Sequence, residues 1–313
     1  MSKRKPKKRR LPSGKRSTGK KPMTNRRSMD KVMSDLGKLL SQQDFQSIEE
    51  ANEFLANNVM GAPLPSMAPE TPLEEAQELI YEAWETNSPR QRVRLAKKAL
   101  KISESCVDAY VILAEDDAKT VRDAHNLYAA GVRAGEQLLG DEYEETVGHF
   151  WGITSTRPYM RARAGMASTL WQMGQHTAAI AHYQELLRLN PMDNQGNRYL
   201  LFTHLLSHGL PDEIENLLAA YPDDASASWN YNWALYLFKY EQGSPQANKQ
   251  LKVALGRNAH IPDFLLKRRR LPRQRPAYMS FGDDSEAVAY VHESQQVWES
   301  IPGALDWLEE QGG

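Results

Sequence analysis

The chain has a single cysteine among 313 residues, Cys106. That excludes an intramolecular disulfide framework and suits a reducing compartment. Cys106 stands where a helix should begin, so it is read as a small packing residue and not as a nucleophile. No run approaches the ~18 apolar residues needed to span a bilayer. No apolar leader core follows the basic N-terminus either, and the expected location is cytoplasmic. Strand-like alternation is missing from Leu73 onward, as are a glycine-rich phosphate loop and the G-x-S-x-G elbow of serine hydrolases. Hydrophobic residues at 41% and charged residues at 25% are ordinary for a globular chain, so a core is available.

Acid is absent from one end. Residues 1–27 hold Lys3, Arg4, Lys5, Lys7, Lys8, Arg9, Arg10, Lys15, Arg16, Lys20, Lys21, Arg26 and Arg27, with no Asp or Glu. The rest keeps 26 of the 39 bases against all 40 acids, a balance of −14. With few large apolar side chains, this stretch is expected to be a disordered tail. It either solubilises the chain, folds back on the acidic body, or binds nucleic acid, a ribosome or an acidic membrane surface. In the last case Lys3, Arg4, Lys5, Lys7, Lys8, Arg9 and Arg10 carry the contact.

Two short helices are expected over residues 28–60. The first shows an apolar stripe of Val32, Met33, Leu36, Leu39 and Leu40, and Ser47 with Glu50 opens the second as a capping box. A Pro-rich linker follows over 61–72.

Residues 73–260 read as consecutive helical hairpins. The first pairs 73–87 with 89–102 around Ser88 and Pro89. The second begins at Tyr110, Leu113 and Ala114 and ends at Gly140. The third is the clearest. Met166, Ala167 and Leu170 fall on the L, G and Y positions of the W-x2-L-G-x2-Y pattern, and Ala179, Tyr183 and Pro191 on the A, F and P positions after it. Only the Trp position departs, being Arg163. Thr156 is its expected N-cap, with Pro158 near the first helical position. A weaker pair covers 194–207, with Asp193 as the expected N-cap of its first helix, and 212–220, and a fifth has Ala234, Leu237, Ala247, Leu251 and Ala254 at packing positions. Hairpins recurring about every 34 residues define an all-α tetratricopeptide-type solenoid, an architecture built to bind another protein or a peptide. Ala167→Leu is expected to overpack the third hairpin.

Residues 261–313 differ. Lys267-Arg-Arg-Arg, Arg273 and Arg275, interleaved with Pro272 and Pro276, read as an extended basic connector. Asp283 and Glu286 form a second capping box, opening a helix to about Trp298. Residues 301–308 make a last short helix with Trp307 facing inward. This pair is expected to cap the last repeat.

The run Asp108-Ala-Tyr-Val-Ile-Leu-Ala-Glu-Asp-Asp-Ala and the later Ala134-Gly-Glu resemble the suppressor of tumorigenicity 7 protein family. So do Asn258-Ala-His-Ile-Pro-Asp-Phe-Leu-Leu, Gly282-Asp-Asp-Ser-Glu-Ala-Val-Ala-Tyr and Gly303-Ala-Leu. The middle is closer to bacterial tetratricopeptide-repeat relatives, through Arg157-Pro-Tyr-Met-Arg-Ala and Leu189-Asn-Pro-Met-Asp-Asn-Gln-Gly. The likeness implies a helical-repeat protein and transfers no catalytic residue. Eukaryotic members are membrane proteins, a property not carried over to a chain without an apolar span.

Catalytic motifs are poor. His204 and His208 have the i, i+4 spacing of two metal ligands, but no carboxylate or cysteine lies nearby in sequence to complete a site. His292-Glu293 begins like a zinc-protease motif, yet Gln296 replaces the second His. Gly282-Asp-Asp resembles a polymerase metal motif, and helix capping explains it more simply. No enzyme, metal or cofactor is expected. The candidate peptide site is a stripe on the first helices: Arg157, Arg161, Ser168 and Trp171, then Asn194, Arg198 and Phe202. Its arginines would hold carboxylates and its aromatics would anchor a peptide. The competing reading pairs Arg157 and Arg161 with internal acids and puts Trp171 and Phe202 in the core. If the stripe is exposed, Arg161→Ala with Arg198→Ala should abolish capture and leave the fold intact.

Overall fold

The computed structural model describes residues 26–59, 66–276 and 278–312, and every element among them is helical. The basic residues Lys3 to Arg10 and the linker stretch 60–65 lie outside the described residues. Two compact units divide at Pro65. The first contains α1 (Arg26–Ser41) and α2 (Ile48–Asn58). Helix α1 starts six residues before the first residue of its apolar stripe, Val32, taking in Arg26 and Arg27. In α2, Ser47 accepts from the Glu50 amide at 3.2 Å while Glu50 accepts from the Gln46 amide at 2.8 Å, and Phe45 meets Phe54 edge-on at 5.4 Å.

The second unit holds five hairpins: α3 (Pro72–Glu85) with α4 (Pro89–Ile102), α5 (Val107–Asp116) with α6 (Val121–Leu139), α8 (Arg157–Gln172) with α9 (His176–Leu189), α10 (Asn197–His208) with α11 (Pro211–Ala220), and α12 (Ala227–Glu241) with α13 (Pro245–Arg257). Between α6 and α8 lie the short α7 (Glu142–Glu145) and a 3-10 turn. After α13 come α14 (Ile261–Leu265), α15 (Asp284–Ser300) and α16 (Ala304–Gly312).

Small residues set the approach of these helices. On α6, Gly131 leaves room for the Ala162 Cβ of α8, and a Cβ at Gly135 would lie 2.7 Å from the buried ring of Tyr159. That steric demand accounts for the Ala134-Gly-Glu run. Ala167 and Ala179 are fully buried, and Met166, Leu170 and Tyr183 are buried beside them, so the third hairpin has the packing its pattern requires. Arg163, at the position of the template Trp, lies over the Tyr159 ring at 5.7 Å and donates to its hydroxyl. Cys106 is fully buried against Gln77, and burial pushes its thiol up to about 12.

Three caps differ from expectation. The Thr156 side chain caps no amide; its hydroxyl donates instead to the carbonyls of Phe150 and Ile153. Asp193 does not open a helix at Asn194. It sits at φ 45°, and its carboxylate accepts from the amides of Asn197 at 2.8 Å and Arg198 at 2.9 Å, which delays α10 to Asn197. Asp283 caps α15 as expected, but Glu286 reaches the Gly282 amide and not that of Asp283.

The C-terminal helices also depart from a simple terminal cap. Helix α16 packs on α13 and α12, whereas α15 reaches back across α12 to α10. A buried chain of hydrogen bonds marks that crossing. The indole of Trp298 donates to Tyr290 at 2.7 Å, Tyr290 to Asn232 at 3.0 Å, and Asn232 to Thr203 at 3.1 Å.

Candidate functional site

Because α15 crosses α10, it forms one wall of a cavity of about 560 Å³ whose other wall is the face of α8 and α10. Ser168 and Trp171 come from α8, Tyr183 from α9, and Leu200 and His204 from α10. Val291, His292, Glu293, Gln296 and Glu299 face them from α15, and Leu271 and Arg275 of the basic connector close the edge.

The Trp171 wall is an aromatic cluster. Its indole lies parallel to the His204 ring at 3.5 Å and tilted against His176 at 4.2 Å, while His176 meets His208 edge-on at 4.7 Å. The pair His204 and His208 is therefore used in ring packing. No group of three His, Cys, Asp or Glu side chains placed to hold a metal occurs among the described residues. His204 is 7% exposed and its Nδ1 has no hydrogen-bond partner, so burial holds its pKa down at about 3. The fold thus refuses a proton that the unfolded chain accepts near pH 6.5. Stability is complete above that pH, falls as pH drops below it, and keeps falling until about 3. At pH 5 the His204 contribution should be a loss of about 2 kcal/mol. His182, lowered to about 4 mainly by burial, acts in the same direction. Urea midpoints at pH 7.5 and pH 5 check this; equal midpoints would refute it.

The opposite wall is acidic. Burial raises the Glu293 carboxyl although Arg275 pairs with it at 2.6 Å. Glu299 is held low by Gln295 and by Lys267 at 2.9 Å. Burial raises the Tyr183 phenol, which keeps it a hydrogen-bond donor. Nothing in this cavity pairs a nucleophile with a base; it offers apolar surface, aromatic faces and carboxylates.

The seven stripe residues do not share one groove. Ser168 and Trp171 line the cavity, but Arg161 is turned into the body. Its guanidinium donates to Asp108 at 2.8 and 2.7 Å and covers the Trp84 ring at 5.1 Å. Arg157 donates to the Trp151 carbonyl at 2.8 Å. Arg198 bridges Asp193 at 2.9 Å and Asp224 at 2.7 Å, and Phe202 is fully buried 5.1 Å from Trp229. Asn194 is exposed in the turn before α10. Sequence reasoning assigned neither Tyr183, Leu200 and His204 nor any α15 residue to a peptide site, because no periodicity announces that α15 crosses α10.

The family model described as ST7 protein matches residues 67–224 of this chain. The chain belongs to the ST7 protein family. Human suppressor of tumorigenicity 7 protein-like is 27% identical over 263 residues, covering 76% of this chain and 45% of the relative. The Drosophila melanogaster protein ST7 homolog is 26% identical over 263 residues, with coverages of 75% and 48%. The chain spans about half the length of the curated relatives it matches. Among solved structures, YrrB, a TPR protein with an unusual peptide-binding site, is similar at 18% identity, covering 66% of this chain and 90% of YrrB. Its TM-score is 0.42. In this ST7 family member the matched segment supplies the α8 and α10 wall of the cavity, while α15 lies beyond it.

Proposed function

We propose that the chain is a non-catalytic helical-repeat scaffold that binds an extended segment of another protein in the cleft between α8, α10 and α15. The observation that carries this reading is the cleft itself. A stacked Trp171–His204 wall faces a helix bearing Glu293 and Glu299, and one edge already holds a non-helical piece of the chain through Leu271 and Arg275. Aromatic faces anchor apolar side chains and the carboxylates favour bases, so the preferred segment is basic with an apolar anchor. The ionisable groups of the second unit argue against catalysis. The one thiol is buried with a raised pKa, His204 is stacked and held neutral, and Glu293 is paired. A scaffold of this kind needs no cofactor.

A peptide-display library selected against the full chain should return basic segments. Their affinity should drop at least tenfold in Ser168→Arg, which fills the cleft and adds a like charge. A half-exposed site of this sort contributes little to stability, so melting should stay within about 2 °C. Binders indifferent to Ser168→Arg would remove the cleft from consideration. The competing reading gives function to residues 1–27 as a nucleic-acid or ribosome contact. It predicts RNA or DNA binding that weakens steeply with salt and ignores Ser168→Arg.

A further inference from the structure

The edge of the cleft is held by residues 267–276, and their contacts make a pattern. Lys267 pairs with Glu299 at 2.9 Å, Arg268 with Glu309 at 3.0 Å, Arg269 with Asp284 at 2.7 Å and Arg275 with Glu293 at 2.6 Å. All four carboxylates belong to α15 or α16. Between these pairs, Leu271 packs on the core and the Pro272 carbonyl lies 2.8 Å from His292 Nε2. Arg273 and Gln274 are exposed. The recognition elements are therefore a run of bases, then Leu-Pro, then one base three residues beyond the proline.

That same series occurs a second time in the chain. Residues 267–272 read Lys-Arg-Arg-Arg-Leu-Pro, and residues 7–12 read Lys-Lys-Arg-Arg-Leu-Pro. Three residues past each proline stands a base, Arg275 in one copy and Lys15 in the other. Every position of the connector that meets a carboxylate keeps a cation in the early copy: Lys7, Lys8, Arg9 and Lys15. Leu11 stands for Leu271 and Pro12 for Pro272. The two unlike positions, Ser13 and Gly14, correspond to the exposed Arg273 and Gln274. Arg-Arg-Leu-Pro occurs nowhere else in the sequence.

We propose that residues 7–15 are an alternative occupant of the connector's seat on α15 and α16, so that the edge of the cleft has two competing ligands encoded in one chain. This rests on the cleft being a peptide site and specifies its ligand as a basic Leu-Pro segment. Ion pairs at the rim fix register, while the leucine supplies the apolar anchor that distinguishes this site from general attraction between a basic peptide and an acidic body. Occupation by residues 7–15 requires release of 267–276, which joins two docked helices and can leave without undoing either.

The test is fluorescence anisotropy with a labelled peptide of residues 5–17, titrated with the full-length chain, beside a Leu11→Asp peptide and a scrambled peptide of equal charge. The native peptide should bind at least tenfold more tightly than either control. Leu271→Asp in the chain, which loosens the connector, should strengthen native-peptide binding several-fold, and Glu293→Lys should weaken it at least tenfold. Because those variants alter packing, hydrogen exchange on the unaltered chain gives a second reading. Saturating native peptide should raise exchange in 267–276 and leave α8 to α10 unchanged. Equal binding of the scrambled peptide, no binding at all, or unchanged exchange in 267–276 each overturns the proposal. If library-selected peptides remain sensitive to Ser168→Arg in that event, the cleft reading stands and only this ligand falls.

Discussion

Replacing Asp108 with alanine is expected to destabilise the second unit by about 3–5 kcal/mol, the cost of stranding one partner of a buried ion pair. Asp108 is fully buried in α5, and the Arg161 side chain is 9% exposed. The carboxylate takes two charge-assisted bonds from Arg161 of α8 and one from Gln77 of α3 at 3.3 Å. Three successive hairpins therefore meet at one side chain. Removing it takes both of these charge-assisted bonds from a guanidinium held in the interior beside Trp84. Asp108→Asn should cost less, since its amide oxygen still accepts one bond. Arg161→Ala should be comparably severe, because it strands the carboxylate. Chemical denaturation followed by circular dichroism gives the magnitude. A loss below about 1 kcal/mol for both alanine variants would mean that the pair is solvated and that Arg161 is available to a ligand after all.

This corrects an expectation that the sequence itself encourages. Arg161 and Arg198 recur on the first helices of adjacent repeats, and that periodicity reads equally well as an exposed binding stripe or as internal wiring. What decides between them is the location of acids distant in sequence: Asp108, 53 residues before Arg161, and Asp224, 26 residues after Arg198. Single-sequence periodicity contains no such pairing. The hairpins were legible for the opposite reason. Ala167 and Ala179 meet steric demands within one hairpin, and Gly174 turns the chain between its two helices at φ 77°, so local spacing alone locates them. Asp193 falls between these cases. Its capping role was readable, but its positive φ, which moves the start of α10, was not. The C-terminal segment was least legible. Composition identifies helices there and a basic connector, while the crossing of α15 over α10 depends on Asn232, Tyr290 and Thr203 meeting in the core.

That crossing is pinned at its start by Glu286, and Glu286→Ala should detach the first turns of α15. The side chain is 1% exposed and accepts from three donors: the Ala227 amide at 3.1 Å, the Asn258 amide group at 3.0 Å and the Gly282 amide at 2.7 Å. Those donors lie at the start of α12, at the end of α13 and in the turn before α15, so one carboxylate ties α12 and α13 to the start of α15, the helix that carries the acidic wall. Truncation leaves buried donors without an acceptor, a loss of about 2–4 kcal/mol when the acceptor was charged. Hydrogen exchange over residues 284–300 should rise well above that of α8 and α9, which share no bond with Glu286. Glu286→Gln tests whether charge matters, since it preserves shape and one acceptor but places an amide nitrogen against a donor. If exchange in α15 rises no more than in α8, Glu286 is a local cap only. The wall is then held by the Tyr290–Asn232–Thr203 chain, and Asn232→Ala becomes the substitution that opens it.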